Sequence, residues 1–261
     1  MNAIDSTPSR KDDPKEMSFI DHLDELRKVL VQSALVFVGL IAVSWFFTGR
    51  VLDMLVQQLP VHKLYFQTPT EAFMVRVRIS TVLGLMASFP FILFRVWAFV
   101  SPALFSHEKR KVLSFIIVSS TLFYAGVVFC YVVLLPIVLK TLLSYGTSYV
   151  NPLISVSSYF SFVSRLCFAF GAVFQLPVVV LLLSILGIVT PGWLLKQWRY
   201  GVLIIFIAAA VLTPDVVSLI AMAVPVLLLY VASVLVSFVV IRRSSRDDRR
   251  TSNLDTGARG M

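Results

Sequence analysis

Two stretches, Val29–Phe47 and Val112–Leu139, stay predominantly apolar over the roughly 20 residues that a membrane-spanning helix needs. Few folds are open to such a chain. Inside hydrocarbon every backbone N–H and C=O must be satisfied within the protein, which leaves helices or closed barrels. Barrel strands alternate apolar and polar residues over about ten positions. Here the runs are continuous, as in LLPIVL and PVVVLLL. The expected fold is therefore all-α, a polytopic integral membrane protein. With 58% hydrophobic residues among 261, one bundle accounts for the chain.

Six spans are expected, at about 29–47, 73–98, 112–139, 159–187, 201–213 and 216–241. The net charge of +9 could suggest nucleic acid, but its distribution argues against such a partner. Placing both termini on one side gathers 17 of the 23 Lys and Arg residues there. Only Arg50, Lys63, Arg76, Arg78, Lys140 and Arg165 fall on the other side. By the positive-inside rule both termini are cytoplasmic. Residues 1–17 and 244–261 are expected as disordered tails around a membrane domain at 18–243. No compact apolar stretch with a cleavage site marks a removable signal peptide.

The fifth span is unusual. About 13 residues separate Arg199 from Thr213-Pro214-Asp215, or about 20 Å of helix against a hydrocarbon core of about 30 Å. The turn with Pro214 and Asp215 should then lie below the outer surface, with Thr213 capping the sixth helix. The sixth span is expected to be short also, or kinked at Pro225. Such a hairpin would thin the bilayer locally.

Several polar groups invite explanation. Phe19, Ile20, Leu23, Leu26 and Leu30 recur at helical spacing, so the segment before the first span can lie with one face on the membrane. It also carries Asp21, Asp24 and Glu25. The bland account is helix solubility, with Glu25 paired to Arg27 or Lys28. The sharper one is a docking point for a cationic ligand. Between the second and third spans, Trp97 and Phe99 suit a membrane interface, and Pro102 should break the helix. Glu108 is the one acid of that loop. Its neighbours Lys109 and Arg110 could neutralise it, although exposed pairs contribute only about 0–1 kcal/mol. In the first outer connection Pro69 sets a turn and Glu71 can cap the second helix, near Arg76 and Arg78, which can snorkel outward. Gln175 sits in mid-span, where an amide needs a partner, either within the bundle or on a docked helix.

Catalytic and metal-binding patterns are missing. Cys130 and Cys167 fall inside spans as apolar packing residues, and no ligand spacing links them to His22, His62 or His107. Neither a phosphate loop nor HExxH nor GxSxG occurs, so no enzyme activity, metal or cofactor is expected. A secondary transporter of a small solute is the alternative, motivated by Arg76, Arg78, Arg165, Gln175 and Asp215 within or near spans. Against it, no pair of broken spans suggests an inverted repeat.

Five segments in order resemble the TatC family, the multispanning receptor subunit of the twin-arginine translocase. They are HLDELRK at 22–28, TPTEAF at 68–73, Pro90 followed by RVWAFVSPALFSHEKR at 95–110, FGAVFQLP at 170–177 and LTPDVVS at 212–218. The resemblance covers about Ser18–Arg243. It implies a multi-pass protein of the bacterial inner membrane that binds twin-arginine signal peptides of folded cargo at its cytoplasmic face. Glu25 and Glu108 stand at the family's two signal-contacting glutamates, and Arg27 and the loop from Phe99 to Arg110 match positions that shape that site. The resemblance further implies assembly into an oligomeric translocase with single-span TatA- and TatB-type partners, driven by the proton-motive force. The polar residue of the fourth span, here Gln175, would contribute to helix partnering. The sequence departs from the family pattern at Gln175, where Glu is frequent, and at Val29, where a basic residue is frequent.

Overall fold

The computed structural model describes the backbone of residues 19–57, 59, 64–104, 109–146 and 153–258. Within those stretches, side chains are described from Leu23 to Phe99 and, Pro191 excepted, from Leu113 to Phe238. Helix α1 (Phe19–Ser44) passes through a 3-10 turn at Trp45–Phe47 into α2 (Thr48–Val56). Helix α3 (Glu71–Leu104) follows, then α4 (Lys109–Phe129), a π-helical turn (Cys130–Leu134) and α5 (Leu135–Ser144). Next come α6 (Val156–Val173), α7 (Leu176–Ile185), α8 (Pro191–Lys196), α9 (Trp198–Leu212) and α10 (Val216–Ala258). The one β pairing among the described residues is an isolated parallel bridge between Tyr65 and Ser155.

Among the described residues, five apolar helical stretches are long enough to cross a membrane: Leu23–Val56, Glu71–Phe99, Leu113–Ser144, Val156–Ile185 and Val216–Phe238. Helix α9 is the short one, with 15 residues or about 22 Å of rise. The expected shortness of the fifth segment is therefore seen. That of the sixth is not, because its apolar stretch alone has 23 residues. The backbone of α10 stays helical to Ala258, through residues 244–258 that the sequence reading set apart as a tail.

Proline acts differently at each place it falls. Pro136, in the first turn of α5, cannot donate to the carbonyl four residues back, and the wider π turn directly before it takes up the mismatch. Pro177 opens α7 after a true break, at which Gln175 N–H bonds Ala172 O and Val178 N–H bonds Gln175 O, both at 3.0 Å. The expected stop at Pro102 does not occur. Helix α3 runs on to Leu104, since a proline so near the end removes one bond of the ladder and little more. Helix α10 likewise continues through Pro225. The expected Thr213 cap is also corrected. Asp215 accepts from Ser218 N–H at 2.7 Å and caps α10, whereas the buried Thr213 hydroxyl turns back to Ala209 O at 3.1 Å. Thr213 lies two residues too early to reach the free N–H groups of α10.

The core joins α3, α5, α6, α9 and α10 through Val75, Ile79, Leu135, Val138, Phe160, Leu166, Phe170, Ile205, Met222 and Ala223. Small residues let helices approach. A Cβ on Gly84 would stand 2.9 Å from the backbone N of Ile41, which places α1 directly against α3. A Cβ on Gly126 would stand 2.7 Å from the carbonyl oxygen of Phe170, where α4 meets α6. Close backbone approach of this kind is how helices associate where lipid removes the hydrophobic drive. Polar pins add to it, as between Ser237 on α10 and Ser184 on α7, 2.6 Å apart and buried.

Candidate functional site

The start of α1 and the end of α3 form a cleft of about 410 Å³. Asp24, Glu25, Lys28, Val29 and Gln32 line it from α1, and Arg95, Ala98 and Phe99 from α3. Residues 25, 28, 29 and 32 share one helical face, as do 95, 98 and 99, so two ordinary helix surfaces suffice to build it. Two atoms in this cleft stand out. Glu25 Oε2 and Arg95 Nε are both buried and both lack a hydrogen-bond partner among the described residues. A buried carboxylate oxygen left without a donor costs free energy until one arrives. The cleft is thus prepared to accept a cationic donor at Glu25 and to donate to an acceptor at Arg95. Phe99 adds an apolar side chain to the cleft wall.

The structure brings together Glu25 and Phe99 of the residues picked out from sequence. Arg27 is exposed and is not among the cleft's lining residues. Glu108 lies outside the described residues. Arg95 opens the motif at 95–110 but is given no site role by the sequence; its spacing of three and four from Ala98 and Phe99 is the available signal. Trp97 is corrected: it is 6% exposed, not interfacial, and stacks on Phe115 at 4.8 Å. It occupies the side of α3 that meets α4, so the ring is packed before it can reach lipid headgroups.

The other candidates lie elsewhere. Pro69 is in an exposed turn at the opposite end of the bundle. Glu71 is buried beside it and accepts from Gln67 N–H at 2.5 Å, from Ser157 N–H at 2.8 Å and from the Ser155 hydroxyl. Three donors on two oxygens suit the ionised carboxylate. Together with Tyr65 N–H to Ile154 O and Val156 N–H to Tyr65 O, both 3.1 Å, Glu71 ties the first connection to the start of α6. Its reach extends well past the helix cap expected of it. Gln175, at the α6–α7 break, donates from Nε2 to Ser119 O on α4 at 2.9 Å. Beyond its capping bond, Asp215 keeps Oδ1 buried with no partner among the described residues. Among the described residues, no group of three or more His, Cys, Asp or Glu side chains could hold a metal ion.

Fold and cleft together define a multi-pass helical membrane protein with a cleft at one end that mixes two acids, two bases and apolar side chains. The family profile of the Sec-independent protein translocase protein TatC matches residues 21–225. TatC of Carboxydothermus hydrogenoformans is 37% identical over 227 residues, spanning 85% of this chain and 93% of that one. TatC of Koribacter versatilis is 32% identical over 255 residues, spanning 93% of each. A crystal structure of the twin arginine translocase receptor TatC in DDM superposes with a TM-score of 0.77 at 36% identity, covering 83% of this chain and 99% of that one. The chain belongs to the TatC family. It is a non-enzymatic protein-transport component, multi-pass in the bacterial inner membrane.

Proposed function

We propose that this protein is the receptor and core subunit of a twin-arginine translocase, binding twin-arginine signal peptides of folded proteins in the cleft between α1 and α3. The observation that carries this reading is the buried Oε2 of Glu25, which has no hydrogen-bond partner among the described residues. A guanidinium offers paired N–H donors in the plane a carboxylate accepts, a geometry lysine cannot copy. One carboxylate holds one arginine; Glu108, on the connection after α3, is the proposed holder of the second. Arg95 then donates to a backbone carbonyl of the bound peptide, and Phe99 packs against its apolar part. Arg27, outside the cleft wall, shapes the approach to it. Titrating the purified full-length protein with a twin-arginine peptide and with its twin-lysine counterpart tests the reading. Clear preference for arginine supports it, and equal affinity overturns it.

The cleft then faces the cytoplasm, with six spans and both termini on that side. Protease added to oriented vesicles should cleave the chain beyond Arg243 only from the cytoplasmic face. Cleavage from the outer face would reverse the topology and with it the cleft.

Single-span TatA- and TatB-type proteins are the proposed partners in an oligomeric translocase driven by the proton-motive force. Gln175 is the proposed polar contact for such a helix. Its N–H engages Ser119, and its carbonyl oxygen takes no bond among the described residues, so an acceptor remains for a partner. Gln175→Leu should lower crosslinking to a single-span partner by an amount worth about 0.6–2 kcal/mol, as membrane hydrogen bonds are. Signal-peptide affinity should hold. An unchanged crosslinking yield would confine Gln175 to bracing α4 against the α6–α7 break.

A further inference from the structure

Far from the cleft, on the side of Glu71, two guanidiniums converge with no acid paired to them among the described residues. Arg78 Nη1 donates to Ser157 O at 3.3 Å, to Ser157 Oγ at 3.2 Å and to Ser161 Oγ. Arg165 Nε donates to Ser161 O at 3.1 Å. Both side chains thus reach back toward the start of α6, one or two turns above their own positions, as snorkelling cations do. Each keeps further N–H groups unengaged among the described residues, since a guanidinium carries five. Glu71 offers them no ion pair, its oxygens being taken by Gln67, Ser155 and Ser157. Both arginines are exposed.

These arginines form the mouth of a groove of about 490 Å³, with Ser161, Ser164, Val82 and Phe168. Val82 and Ser164 also line a second cavity of about 250 Å³ that continues into the bundle between α3, α4 and α6. Its walls there are apolar, including Leu83, Met86, Val127 and Phe160. Paired cations at the membrane edge leading into an apolar slot complement a molecule with an anionic head and a hydrocarbon tail. An apolar peptide helix would leave the guanidiniums without an anion, so it fits the mouth less well.

We propose that this groove holds one anionic glycerophospholipid from the leaflet on the Glu71 side, its phosphate between Arg78 and Arg165 and one acyl chain running past Val82 and Ser164 into the apolar cavity. The lipid braces α3 against α6 where these helices are farthest from the peptide cleft. This inference does not depend on what the cleft binds.

The full-length protein is reconstituted in vesicles of phosphatidylglycerol and phosphatidylcholine in equal parts, extracted in mild detergent and weighed by native mass spectrometry. Retained phosphatidylglycerol should exceed phosphatidylcholine by roughly tenfold or more, the preference expected of two cations near a lipid phosphate. The double variant Arg78→Gln with Arg165→Gln should lose that preference, and the corresponding double Lys variant should keep most of it. Equal retention of both lipids, or a preference untouched in the Gln variant, overturns the proposal. A photoactivatable residue in place of Phe168, with both arginines intact, removes any dependence on the variants' folding. A phosphatidylglycerol adduct supports the lipid. An adduct with signal peptide or with a partner helix in its stead overturns it.

Discussion

Glu25→Ala weakens binding of a twin-arginine peptide by about 1.5–3 kcal/mol, the contribution of a charged hydrogen bond. That is a loss of roughly 10- to 150-fold in affinity. The argument rests on what the cleft contains. Glu25 Oε2 is buried with no donor among the described residues, so the free protein already bears the cost of desolvating it, and the incoming guanidinium recovers that cost. Glu108→Ala should give a loss of the same order if the second arginine is held there. Both losses should shrink when the peptide carries two lysines, because an ammonium lacks the paired donors that make the contact bidentate. Peptide affinity measured on both variants with both peptides separates recognition from folding. Equal proportional losses for arginine and lysine peptides would assign the glutamates to folding.

Gly126→Val destabilises the bundle by about 1–3 kcal/mol, the usual cost of forcing extra carbon into a packed interior. Valine in place of glycine would gain some helix propensity, at most about 1 kcal/mol. The steric cost exceeds that gain, because the first added carbon would lie 2.7 Å from Phe170 O and 2.7 Å from the Phe174 ring. A backbone carbonyl cannot swing aside as a side-chain tip can, so α4 and α6 must separate. The same separation would disturb the Gln175–Ser119 bond that links α4 to the α6–α7 break. Gly39→Ala is the control. Its added carbon meets nothing within 4 Å, so stability should hold or rise slightly. Thermal unfolding in one detergent, compared for both variants, gives the answer. An unshifted midpoint for Gly126→Val would mean that α4 and α6 do not pack through this contact.

The long apolar segments were legible in the sequence because hydrocarbon permits so little else, and the short α9 was legible from the distance between Arg199 and Pro214. Features set by tertiary neighbours were not. Trp97 has the chemistry of an interfacial residue, and only the position of Phe115 makes it a core one. Pro102 has the chemistry of a helix breaker, and its nearness to the end of α3 makes the break unnecessary. Thr213 and Asp215 can both cap a helix, and the choice between them depends on where α10 begins. In the cleft, Glu25 and Phe99 were marked by resemblance. Arg95 entered with them because α1 and α3 cross closely enough at Gly84 for their faces to meet. Gly126 carried no signal of its contact with Phe170, which exists only once α4 meets α6.

The central claim is that a twin-arginine peptide lies between α1 and α3. A photoactivatable residue in place of Gln32, on the cleft wall but not at its acids, tests it most directly. The twin-arginine peptide should crosslink there, the twin-lysine peptide should crosslink weakly, and Glu25→Ala should reduce the yield for the first. Equal yields for both peptides, or crosslinking found at position 69 and not at 32, would contradict the account.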